Sequence, residues 1–190
     1  MVEQSYGLAH RYFALKARIL GLEQFELCDQ YAPVFPESGE KKYSFGEARR
    51  MASDAYAGID PFLGCLVDAF FNGQRIHAVP MPRKRGEAFC AAEGPALPSY
   101  VFLTYTGVLY DVMTLAHELG HGVHGELSKK QTMFNYDAPL AVAETASTFG
   151  EAVLFSRLFR DAADDHARLR MLAERVEGIF GTLFRQMTLF

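Results

Sequence analysis

The chain has 190 residues, of which 49% are hydrophobic and 22% charged, the composition of a globular protein with length for one core or two lobes. Nineteen basic side chains against 23 acidic ones give a net charge of -4, so there is no positive excess to neutralise phosphates, and nucleic acid is excluded as the main partner. No run of about 18 apolar residues occurs, which argues against a membrane span. The three cysteines, Cys28, Cys65 and Cys90, are odd in number, widely spaced and without a C-x-x-C pair, so a reducing, cytoplasmic setting is expected rather than a disulfide framework.

In chain order, Gln4 to Leu20 carries Leu8, Tyr12, Leu15 and Ile19 at helical spacing and predicts a first helix packed on that stripe. Asp29 to Lys42, with Pro33, Pro36 and Gly39, reads as a loop. Ser44 and Glu47 form a capping-box pattern for a second helix that runs to about Gly58. Asp60-Pro61 opens a third and Asn72-Gly73 closes it, with Phe62, Leu66 and Phe70 on one face. Arg75 to Val79 alternates and Tyr100 to Tyr105 is rich in β-branched and aromatic residues, which predicts a small sheet on either side of a loop holding Arg83-Lys84-Arg85. That basic run reads as solvated, with contact to a substrate carboxylate as the alternative.

Helical patterning returns from Val108 to about Leu127, a polar loop covers Ser128 to Asp137, and further helices begin near Pro139 and Ala162. The last has no stop signal: Ile179, Phe180, Leu183, Phe184 and Met187 continue an apolar stripe toward Phe190, which suggests a fragment and self-association through this Phe-rich helix. The fold expected is mainly α with a small β-sheet. Residues 1–190 are expected to be one domain, a helical part over 1–73 and a part over 74–190 that joins the sheet to metal-binding helices.

The strongest chemical signal is His117-Glu118-Leu119-Gly120-His121 inside the predicted helix. Histidines at i and i+4 share a helix face and can converge on one metal ion, while Glu118 is rotated off that face and can accept a proton from metal-bound water. This is the pattern of a zincin-like metallopeptidase catalytic core. A catalytic zinc takes a third protein ligand, and Glu144, set among small and apolar residues on the next helix, is the candidate, because a lone charge there is costly unless it is coordinated or paired. Glu126 lies on the same helix as His121 and cannot fold back to the ion. Glu151, seven residues after Glu144, and Asp111 could each bond a ligand histidine, or could serve as solvated or capping residues. His124, three residues after His121, is a pocket neighbour or a rival ligand.

These segments, together with Arg11-Tyr12-Phe13 through Leu20-Gly21-Leu22, the Tyr105-x-Gly107-x-x-x-Asp111-Val112 lead into the metal helix and Ala143-Glu144-Thr145-Ala146-Ser147-Thr148, resemble the oligoendopeptidase F group of zinc metallopeptidases, relatives of thimet oligopeptidase. The resemblance implies one Zn2+ per chain bound by His117, His121 and Glu144, Glu118 as general base on zinc-bound water, and short peptides cleaved internally. It also implies a site deep in a channel and a substrate backbone laid along Tyr100 to Tyr105 as an edge strand. Family chains extend further at both ends, which implies truncation here and places the oxyanion-stabilising groups outside this sequence. Gly86-Glu87-Ala88-Phe89 departs from the family's Gly-Ala-aromatic pattern. The expected activity is that of a zinc-dependent endopeptidase; the alternatives are a zinc exopeptidase and a metal-binding helical fragment without activity.

Overall fold

The computed structural model describes residues 6–35 and 41–181, and the chain divides into two compact units, 1–39 with 162–190 and 40–161. The parts 1–73 and 74–190 expected from sequence cut across these units, because the helices after residue 44 share a core with the sheet and the metal-motif helix. Pro36, Gly39, Gln4, Leu183, Phe184 and Met187, which the sequence reading used for a loop, a helix start and the terminal stripe, lie outside the described residues.

In the second unit, local chemistry sets the first helix boundaries. Helix α2 (Phe45–Ala57) starts at Ser44, whose backbone N–H donates to Glu47 Oε2 at 2.7 Å while Glu47 N–H donates back to Ser44 Oγ at 3.2 Å. Helix α3 (Pro61–Asn72) starts at Asp60, whose carboxylate accepts from Phe62 N–H at 2.7 Å, and ends at Gly73. Its inward face is Gly64, Val67 and Phe70; Phe62, expected on that face, is exposed, since it sits in the first turn ahead of the contact with α2.

Three short strands follow: β1 (Ile76–His77), β2 (Phe89–Ala91) and β3 (Tyr100–Phe102), in the order β1-β3-β2, with β1 parallel and β2 antiparallel to β3. Strand β2 falls in the stretch read as loop, because three residues are too few to show alternation and only pairing with β3 makes them a strand. Tyr100–Phe102 is therefore the middle strand and not an edge; among the described residues the two edge strands are β1 and β2. Lys84 is not a solvated charge either: its ammonium donates to the carbonyls of His77, Val79 and Leu103 at 3.1, 3.0 and 2.5 Å and pins the basic loop to the sheet.

Helix α4 (Leu109–Ser128) carries the metal motif, the short α5 (Met133–Tyr136) lies within the predicted polar loop, and α6 (Leu140–Arg160) carries Glu144 and Glu151. Ala48, Ala52 and Tyr56 of α2, Val67 and Phe70 of α3, Val101 of β3, Val112, Leu115, Ala116 and Leu119 of α4, and Val153 and Leu154 of α6 form one buried core. Helices α4 and α6 meet at two glycines. A Cβ on Gly120 would lie 2.5 Å from the Ala146 carbonyl oxygen and 2.8 Å from Ser147 Cα, and one on Gly150 would collide with the Tyr56 hydroxyl and the Ala116 carbonyl. Tyr56, 1% exposed, donates its hydroxyl to that same carbonyl at 3.1 Å and ties α2 to the turn just before His117.

In the first unit, α1 (Tyr6–Leu20) and α7 (Asp165–Phe180) are joined by aromatic contact: Tyr12 and Phe180 stack at 4.3 Å and Phe13 meets Phe180 edge-on at 4.9 Å. The inward position between them in the helical repeat is Lys16, whose ammonium donates to the Gln30 carbonyl at 2.8 Å and to Glu177 at 2.5 Å. The predicted stripe is thereby corrected: Leu8, Leu15 and Ile19 are exposed, because the face bearing Tyr12, Phe13 and a fully paired Lys16 turns inward instead. Among the described residues no helix is long and apolar enough to cross a membrane.

Replacing Gly150 by Ala is expected to destabilise the chain by about 1–3 kcal/mol in urea unfolding through overpacking. Gly46→Ala, at a helical position with open space around it, is expected to stabilise by about 0.5–1 kcal/mol. Equal effects of the two substitutions would contradict the close α4–α6 contact.

Candidate metal centre

One turn of α4 separates His117 from His121, and their rings lie 5.0 Å apart at 79° to one another, so both present a nitrogen to the same side of the helix. The α4–α6 contact brings Glu144 to that side. His117 Nε2 lies 3.5 Å from Glu144 Oε2 and His121 Nε2 lies 3.8 Å from Glu144 Oε1. Three donor atoms within 4.8 Å of one another form the group. Ligands on a tetrahedral zinc with bonds near 2.1 Å are separated by roughly 3.4 Å, so two imidazole nitrogens and a carboxylate at these distances could hold such an ion with little movement.

Two further side chains orient these donors. Glu151 Oε1 is 2.6 Å from His117 Nδ1, which keeps the proton on that nitrogen and leaves the Nε2 lone pair directed at the group. That hydrogen bond raises the His117 pKa above the usual histidine value, with burial working against it. Ser147, fully buried one turn after Glu144, donates its hydroxyl to Glu144 Oε2 at 2.9 Å and lies 3.0 Å from the Glu144 carbonyl. His121 is shifted down, first by burial, with the Glu144 charge and a hydrogen bond to the Ala143 backbone opposing.

Glu118 is 5% exposed, and its Oε2 has no hydrogen-bond partner among the described residues. Burial pushes its pKa up to about 7, the Glu144 charge adds to the rise and His117 opposes it. A cation held by the three donors adds positive charge and draws this value back down. A buried, orphaned carboxylate oxygen is costly unless water or a ligand reaches it, so the chemistry of Glu118 fits a site that receives a small polar molecule.

The other candidates are placed elsewhere. Asp111 closes the turn before α4: its Oδ2 accepts from Thr106 N–H at 2.6 Å, the Thr106 hydroxyl at 2.8 Å and Gly107 N–H at 2.9 Å, which is the capping role. His124 is half-buried and close enough to weigh on the charge of His121, but it is not in the three-donor group. Glu126 pairs with Arg75 at 2.6 Å and Lys129 at 2.8 Å. Cys90 of β2 has its thiol pushed up to about 12, chiefly by burial and further by the nearby Glu118 charge, which sets β2 beside the metal helix. Sequence reasoning missed Ser147 and Tyr56. A serine three residues after a candidate ligand on one helix is a usable signal; Tyr56 lies 60 residues from its acceptor and gives none.

The model for peptidase family M3 matches residues 68–189. The chain is similar to the chromosomal oligoendopeptidase F of Lactococcus lactis subsp. cremoris, 28% identical over 186 residues, covering 97% of this chain and 30% of that protein. It is similar to the oligopeptidase PepF of Bacillus subtilis strain 168, 29% identical over 97% of this chain and 28% of that protein. A crystal structure of a candidate peptidase from Chlamydophila abortus superposes with a TM-score of 0.84 at 32% identity, covering 97% of this chain and 31% of that one. The chain thus spans about 30% of the length of the curated relatives it matches. With the matched region taking in the sheet and the helices that bear His117, His121 and Glu144, the chain belongs to peptidase family M3.

Proposed function

We propose that the chain is the zinc-binding catalytic part of an endopeptidase acting on short peptides. The observation that carries this reading is the meeting of Glu144 from α6 with two Nε2 atoms of α4 beside the orphaned Glu118 Oε2. His117, His121 and Glu144 would hold the ion, with Glu151 and Ser147 fixing the first and third of these. Zinc in such a site supplies Lewis acidity, which acidifies water and polarises a carbonyl.

The chain's own residues then divide the work. Glu118 Oε2 accepts a proton from the attacking water and delivers it to the leaving amine nitrogen, a task suited to a carboxylate whose surroundings already raise its pKa. Hydrolysis balances: water adds across the amide, its hydroxyl to the carbonyl carbon and its proton, carried by Glu118, to nitrogen. The edge of β2 offers backbone groups to an extended peptide, which would lie beside Glu118 on the side marked by Cys90. The names of the relatives, oligoendopeptidase and oligopeptidase, favour short substrates and internal cleavage. The orphaned Glu118 oxygen favours catalysis over a purely structural metal, which would need no further carboxylate beside the three donors.

In cleavage of a blocked, internally quenched peptide by the zinc-loaded chain, Glu118→Gln is expected to lower turnover at least 100-fold while zinc remains bound. Undiminished turnover in that variant would remove Glu118 from the mechanism. Glu151→Ala is expected to weaken zinc binding by about 10- to 100-fold without changing helix content, measured by chelator competition. Unchanged affinity would deny Glu151 its role on His117.

A further inference from the structure

Three rings stand in a row across the sheet. His77 of β1 stacks on Phe102 of β3 with centroids 5.3 Å apart at 16°, and Phe89 of β2 stacks on the other side of Phe102 at 4.9 Å and 17°. The register explains the row: His77 and Phe89 are each paired with Phe102, so the three side chains share one face and repeat at the spacing of neighbouring strands. Lys84, with its ammonium 4.5 Å from the Phe102 centroid, covers the middle ring. The row stops at Phe89, which is 48% exposed on the edge that no described strand pairs with.

Because the stack runs from strand to strand, the free side of the Phe89 ring faces the place where a side chain of an added strand would stand. We propose that Phe89 is a specificity-determining residue: a peptide laid along β2 sets one side chain against this ring, and that position selects an aromatic residue as the fourth ring of the row. The proposal rests on the reading of β2 as the strand beside which substrate lies. Its register is specific. Cys90, the next residue of β2, points to the opposite face near Glu118, so the two neighbours of the selected peptide residue face the catalytic carboxylate while the selected side chain faces away from it. A stacked aromatic pair contributes enough to favour Phe over Ala at that position by roughly two- to tenfold.

The test measures binding of fluorescent, blocked octapeptides to the zinc-loaded Glu118→Gln chain, with Phe walked through each position of an Ala/Ser background and, separately, N-methyl groups walked along the backbone. The expected result is alternation in the N-methyl effect and one position at which Phe is preferred over Ala. That preference falls to near unity in Phe89→Thr, which keeps strand propensity, and is retained in Phe89→Tyr, while preferences at other positions persist in both. If N-methylation alternates but no preference depends on residue 89, the ring proposal is overturned and the edge-strand reading stands. If N-methylation has no alternating effect, or no peptide binds, the edge-strand reading fails and the proposal fails with it.

Discussion

Everything at the candidate site depends on how closely α4 and α6 approach. The two histidines sit on one helix and the two carboxylates that address them on the other, so a change of an ångström in the interhelical distance separates the ligand set. Gly120 and Gly150 make the approach possible by presenting backbone to backbone, and Tyr56 locks it by spanning from α2 to the carbonyl of Ala116. The contact is held by a buried core that includes residues of α2, α3 and β3, so the metal donors are carried on packed elements and not on loops.

Within that frame the acidic side chains of α4 and α6 have different partners. Glu151 is spent on His117, Glu126 on Arg75 and Lys129, and Asp111 on the turn ahead of α4. Glu118 alone among these is buried with an oxygen left over, and its pKa is the one pushed up to about 7. A buried carboxylate oxygen without a hydrogen-bond partner among the described residues, beside three metal-type donors, is the arrangement on which the proposed proton-handling role of Glu118 rests.

Much of this was legible in the sequence where the determinants are local. Ser44 with Glu47, Asp60 with Pro61, and Asn72 with Gly73 mark α2 and α3 to within a residue, and the four-residue spacing of His117 and His121 places them on one face. What was hidden depends on tertiary contact. Strand β2 exists through its pairing with β3, and strand order, which makes β3 central, follows from the way the chain returns to the sheet. The inward face of α1 is decided by Lys16 finding Gln30 and Glu177, partners distant in sequence, so of the apolar stripe only Tyr12 faces inward, while Leu8, Leu15 and Ile19 are exposed. The Tyr56 clamp and the aromatic row of His77, Phe102 and Phe89 are likewise products of assembly.

The most direct test of the central claim, that two helices of this chain supply the complete protein ligand set of a zinc ion, is X-ray absorption at the zinc edge on the loaded chain. Two imidazole nitrogens with carboxylate and solvent oxygens at about 2.0–2.2 Å are expected, together with loss of the second imidazole signature in His121→Ala. A sulfur neighbour near 2.3 Å, drawn from a cysteine such as Cys90, or a shell with no change on substitution of His121, would contradict it.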